Sequence, residues 1–161
     1  MKQLTGILIF SLLLINGISA QQYNFTTYSI NEGLSQSVVN SIFQDSKGYI
    51  WLGTQNGLDR FDGRNFQRFR FNPTDTNSIS NNWIYAVSED LDGNLWIGTK
   101  GGLHRYIRVE NRFERIRYQT GYRFDVTNYN YDNILLRNGN ILINTPPVIS
   151  IYNTQEQSWA H

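Results

Sequence analysis

The chain repeats itself, and that constrains its fold more than any other feature. When "VVNSIFQDSKGYIWLGTQNGLDRF" from Val38 is laid over "WIYAVSEDLDGNLWIGTKGGLHRY" from Trp83, eight residues coincide. Asp45, Gly48, Trp51, Gly53, Thr54, Gly57, Leu58 and Arg60 meet Asp90, Gly93, Trp96, Gly98, Thr99, Gly102, Leu103 and Arg105 at a constant offset of 45. A period in the forties, built from short segments with two-residue alternation, is the spacing of β-propeller blades. A third, weaker copy, "NGNILINTPPVISIYN", sets Gly139, Asn140, Ile141 and Thr145 opposite Gly93, Asn94, Leu95 and Thr99 at offset 46, with Leu142 in place of the Trp and Pro146-Pro147 at the turn. A blade of this kind cannot bury both its faces without neighbours.

Each copy divides into strands by period and punctuation. Val38 to Gln44 and Trp83 to Glu89 alternate and end at the turns "DSKG" and "DLDG", where glycine supplies the positive φ of a tight hairpin. Tyr49 to Thr54 and Asn94 to Thr99 are second strands. Asn56-Gly57 and Gly101-Gly102 turn into third strands at Leu58 to Phe61 and Leu103 to Ile107, and Phe66 to Phe71 and Phe113 to Tyr118 supply the fourth. The stretch "NPTDTNSISNN" (Asn72 to Asn82) is the crossover between blades. The expected fold is all-β: a partial propeller of four-stranded antiparallel blades, two clear and one degenerate, not closed on its own.

Composition removes several alternatives. The chain contains no Cys, which excludes disulfide frameworks, thiolate metal sites, Cys nucleophiles and a lipoprotein anchor. His104 and His161 are its only imidazoles, too few and too distant for a His-rich metal centre. Residues 1–20, "MKQLTGILIFSLLLINGISA", read as a secretory signal cleaved after Ala20, with Lys2 ahead of an apolar run that Asn16 and Gly17 close too early for a membrane span. Without that segment the chain has 13 basic and 13 acidic groups, so charge provides no reason to expect nucleic acid as a partner.

The segment "GLSQSVVNSIFQDSKGYIWLGTQNGLDRFDGRNF" (Gly33 to Phe66) resembles the opening blade of the two-component regulator propeller repeats. The resemblance extends strongly to about Tyr118 and weakly beyond. It implies the periplasmic sensor region of hybrid two-component systems of Bacteroidetes, in which the propellers precede an immunoglobulin-like domain, a membrane helix and a histidine kinase. Two clear copies and one weak one fall short of the four to eight blades that close a ring. The sequence is therefore expected to be a fragment, whose ring needs further blades or another chain. The division is residues 1–20 signal peptide, 21–33 leading strand of the ring-closing type (aromatics of Tyr23 to Ile30), 34–78 first blade, 79–124 second blade and 125–161 degenerate partial third blade.

Candidate chemistry is sparse. Asp90, Asp92 and Asn94 have the opening spacing of a calcium loop, but Lys47 stands where Asp92 does in the sister copy, so a hairpin turn is expected. Trp51 and Trp96 are expected in the core, His104 on a strand surface, and no catalytic, metal or cofactor site is expected. The first strands should line the central channel, bringing Gln36, Asn40, Gln55, Asn81, Asn82, Trp83, Tyr85 and Lys100 towards one mouth. Amides with an indole suit a neutral polyhydroxylated ligand such as an oligosaccharide. The alternative is that the amides serve loop backbones and Trp83 packs in the core. Three functions are compatible: an oligosaccharide-responsive periplasmic sensing segment, a secreted structural or protein-interaction propeller, and, least of all, a carbohydrate-active enzyme. The expected location is the periplasm, with the extracellular space as the alternative.

Overall fold

The computed structural model describes residues 23–117, 132–135, 140–145 and 148–160. The expected signal peptide, the crossover from second to third copy and the Pro146-Pro147 turn lie outside these residues.

Three four-stranded antiparallel sheets follow the sequence repeat. The first holds β1 (Val39–Gln44), β2 (Ile50–Thr54), β3 (Gly57–Phe61) and β4 (Phe66–Phe69). The second holds β5 (Ile84–Glu89), β6 (Leu95–Thr99), β7 (Gly102–Ile107) and β8 (Arg112–Arg115). The degenerate copy also pairs four strands: β9 (Asp132–Leu135), β10 (Ile141–Thr145), β11 (Val148–Asn153) and β12 (Ser158–Ala160). Registers match across the repeat: Trp51 lies between Phe43 and Arg60, Trp96 between Ser88 and Arg105, and Leu142 between Ile134 and Ile151. The sheets sit in an open row and meet along their first strands, β1 against β5 and β5 against β9.

The shared residues account for the hairpins. Asp45 Oδ1 accepts the backbone N–H of Lys47 and Tyr49, and its Oδ2 accepts the Trp51 indole N–H at 2.8 Å. Asp90 does the same for Asp92, Asn94 and Trp96. One carboxylate thus satisfies the turn's donors and fixes the rotamer of a buried Trp. Gly48 and Gly93, at φ 87° and 80°, supply the left-handed residue between them. In the second hairpin the Thr54 and Thr99 hydroxyls donate to the carbonyls of Gly57 and Gly102. Gly53 keeps neighbouring blades in contact: a Cβ there would come within 2.8 Å of Ile84.

The core is a pair of layers between sheets. Trp51 and Leu58 of the first sheet pack with Ile84, Val87, Leu95, Ile97, Tyr106 and Phe113 of the second, joined by Ile79 of the crossover. Trp96 and Leu103 of the second sheet pack with Ile141 and Tyr152 of the third. Both tryptophans are core residues. Among the described residues the outer face of the first sheet is covered only in part, by the segment that carries Tyr28, and Ile42, equivalent to buried Val87, is 70% exposed.

Two expectations change. His104 is not a surface residue but is fully buried, because the third strand of a middle blade is covered by its neighbour and by the incoming crossover. The segment from Tyr23 to Ser29 forms no strand. Its Tyr28 lies on Phe61 and Phe66, with ring centroids 4.7 and 6.0 Å apart, and a capped 3-10 turn, Ile30–Glu32, follows. A strand is stabilised by its ladder, and the strand expected here is of the ring-closing type, which completes a last blade; the described residues contain only the three sheets above.

Candidate functional site

The eight rim residues gather at the end of the sheets where the first strands begin, and they divide into a frame and a platform. The frame is made of amides. Gln36 Oε1 accepts the Gln55 N–H at 3.1 Å, tying the entry to β1 to the β2–β3 turn. Asn82 Oδ1 accepts Phe71 N–H at 2.7 Å and its carbonyl accepts Gly57 N–H, clamping the crossover onto the first blade. Asn81 Oδ1 accepts Trp83 N–H, and Asn40 Nδ2 donates to the Ile84 carbonyl across the blade boundary. One end of each of these four amides therefore holds backbone.

The platform is Trp83, Tyr85 and Lys100. The Trp83 and Tyr85 rings lie 6.1 Å apart at 35°, and the Lys100 ammonium stands 5.5 Å from the Trp83 ring centroid. Lys100 N–H also donates to the Trp83 carbonyl, so the β6–β7 turn carries the cation to the indole. All three side chains are half-buried. Trp83 belongs to neither core layer, whereas Tyr85 packs in part against the second. The strand register shifts between Val39 and Ser41 and again between Ile84 and Ala86, so Asn40 and Tyr85 stand at β-bulges, which re-aim side chains at rims.

Two features of this rim escape a reading of motifs. Arg70 and Arg115 donate to the carbonyls of Asn56 and Gly101 at the β2–β3 and β6–β7 turns. Their spacing is again 45, and the repeat offset could have revealed them. His104 Nε2 accepts the Ser80 N–H at 3.1 Å and anchors the crossover three residues before Trp83. Burial, aided by the nearby Arg115 charge, lowers its pKa to about 4. It is therefore neutral at pH 7. Asp90 and Asp92 form no cation site: the Asp90 oxygens are engaged by backbone N–H groups, the Asn94 amide and Trp96. Among the described residues no group of three or more His, Cys, Asp or Glu could hold a metal.

At the opposite end, Arg108 of the β7–β8 turn binds Asp45 and Glu89, each at 2.8 Å. Burial opposes ionisation of Asp45, but the Trp51 indole and Arg108 outweigh it and hold its carboxyl below the usual range.

With this geometry in place, comparison with known proteins is informative. The family model described as "Two component regulator propeller" matches residues 33–56 and 78–101. A histidine kinase of Formosa agariphila is 46% identical over 77 residues, which are 47% of this chain and 6% of the kinase. The extracellular domain of a hybrid two-component system from B. thetaiotaomicron superposes with a TM-score of 0.73 at 23% identity, covering 84% of this chain and 20% of that one. A second such domain gives 0.64 at 28% identity, covering 84% and 19%. The chain thus spans about a fifth of each extracellular domain and far less of the kinase. Among the described residues no helix is long and apolar enough to cross a membrane. Spacing, hairpin chemistry and blade packing agree with these matches: residues 33–56 and 78–101 are two copies of the two-component regulator propeller repeat, and the fold is that of the extracellular domains of hybrid two-component systems.

Proposed function

We propose that this chain is part of the exported sensing region of a two-component signalling protein and that its rim binds an oligosaccharide. The observation that carries this reading is the half-buried Trp83, set beside Tyr85 and Lys100 on a rim framed by Gln36, Asn40, Gln55, Asn81 and Asn82. An indole outside the core offers the apolar face on which a pyranose ring stacks, and the amides offer paired donors and acceptors for hydroxyls. Ligand binding would be transmitted through further blades or a partner chain, because the matched kinase extends far beyond the aligned segment.

The two tryptophan classes provide the test. Trp83→Ala should abolish calorimetric binding of an oligosaccharide panel while leaving the thermal midpoint within a few degrees of the parent. Trp96→Ala, in the second core layer, should instead lower stability by about 3–5 kcal/mol. If Trp83→Ala destabilises as severely as Trp96→Ala and the folded remainder binds unchanged, Trp83 is core and the rim site is abandoned.

A second reading has its own observation. The outer face of the first sheet, covered only in part among the described residues and with Ile42 70% exposed, suits further propeller blades or another protein chain. A chain that binds no saccharide but associates through that face would favour a purely structural role.

A further inference from the structure

We propose that the rim selects oligosaccharides carrying an anionic group, a carboxylate or a sulfate, and that Lys100 is the residue that reads it. This rests on the glycan reading of the rim and narrows it.

Two observations converge. The first is that the stacking platform is covered by its own chain: the Lys100 ammonium lies 5.5 Å from the Trp83 ring centroid, within cation–π range. A sugar ring that uses this face must move the ammonium aside. A neutral sugar leaves the displaced charge with only water, so the lost cation–π contact counts against binding. An anionic group on the sugar pairs with it, converting the displaced cation into a charge-assisted contact.

The second observation is the charge of the surrounding mouth. Among the described residues, none of the ion pairs involves Lys100, Arg70 or Arg115. Arg70 and Arg115 reach only the carbonyls of the adjoining turns. Asp59 on the third strand of the first blade is committed elsewhere: it is buried, binds Ser35 and pairs with Arg68. Among the described side chains, Lys100 and Arg115 at the β6–β7 turn, and Arg70 at the β2–β3 turn of the neighbouring blade, thus carry charge that no ion pair neutralises, and the field of each reaches over about 8 Å at physiological salt. That arrangement favours an anionic ligand and repels a cationic one.

The experiment uses the full chain in calorimetric titrations with three matched probes: galactotetraose, tetragalacturonate and a sulfated galactotetraose. Tetragalacturonate, the sulfated probe or both should bind at least tenfold more tightly than galactotetraose, and the preference should shrink as salt rises. Comparing the two acidic probes distinguishes carboxylate from sulfate. Lys100→Gln should bring the acidic sugars down to the affinity of the neutral one, whereas Lys100→Arg should preserve the preference. Equal affinity for neutral and acidic probes, or a preference that survives Lys100→Gln, would overturn the role of Lys100 while leaving the glycan site standing. Absence of binding by all three probes would overturn the glycan reading itself, and this inference with it.

Discussion

The two boundaries between blades use the same hairpin and the same Trp yet are held together differently. At the first, Trp51 stacks on Phe69 at 5.8 Å and 19°, meets Tyr106 edge-on at 5.2 Å and lies beneath the Arg60 guanidinium. Arg108 reaches across from the second blade to Asp45, and Ser46 of the first blade binds Glu89 of the second through both its N–H and its hydroxyl. At the second boundary Trp96 packs on Tyr152 at 5.3 Å, and Tyr152 on Trp159 at 5.0 Å. Here Asp90 is met by Asn94 from its own turn, where the first copy has Tyr49. Among the described residues, charge across the interface closes the first boundary and aromatic packing holds the second. Repeat residues build the blade, and residues that do not repeat set how firmly blades are joined.

The largest effect that tests this comparison is removal of the packing common to both boundaries. Trp51→Ala and Trp96→Ala should each cost about 3–5 kcal/mol, since both indoles are buried against aromatic partners and leave cavities. Urea unfolding followed by far-ultraviolet dichroism would measure it, and near-neutral loss at either position would show that boundary to be dispensable.

Next comes acid, which acts on the first boundary. His104 has a folded pKa of about 4 against about 6.5 when unfolded, so the unfolded chain binds the extra proton first. Stability should be complete above pH 6.5, fall as pH drops through that value and level off below about pH 4, a loss of roughly 3 kcal/mol. Asp45 adds to this trend, because a depressed carboxyl contributes stability that is lost as pH falls through its folded pKa. Thermal melts of His104→Gln across this range should lack the His component, and an unchanged profile would contradict the assignment.

Arg108→Met then distinguishes the boundaries directly. It leaves Asp45, whose side chain is fully buried, without its cation, at a cost of about 2 kcal/mol. Asn94→Ala at the second boundary should cost only about 1 kcal/mol, since Asp90 keeps its backbone donors and the Trp96 indole. Equal losses would mean the charged clamp adds nothing. The smallest effect belongs to the rim: Lys100→Gln should change stability by less than about 0.5 kcal/mol, since its side chain makes one half-buried cation–π contact at 5.5 Å.

The hairpins were legible in advance because they are local. Asp45, Gly48 and Trp51 act within one turn, so their spacing carries the whole interaction, and its recurrence at Asp90, Gly93 and Trp96 announced a blade. The rim was legible as a neighbourhood, since strand order alone brings Trp83, Tyr85 and Lys100 to one end. That the amides serve loop backbones stood as the alternative reading; which backbone groups Asn82 and Gln36 hold, and that bulges place Asn40 and Tyr85, was not legible, because both depend on how adjacent segments meet.

Sequence alone therefore determined the blade, its period and the identity of its buried tryptophans, because hairpin chemistry and two-residue alternation act over a few residues. Tertiary structure decided the rest. It buried His104 beneath a crossover 24 residues away, joined Arg108 to Asp45 across 63 residues, and kept the leading segment out of strand conformation where its aromatic alternation suggested a strand. Each outcome turns on which surface lies opposite, and an antiparallel blade presents two faces whose burial is fixed only when its neighbours are in place.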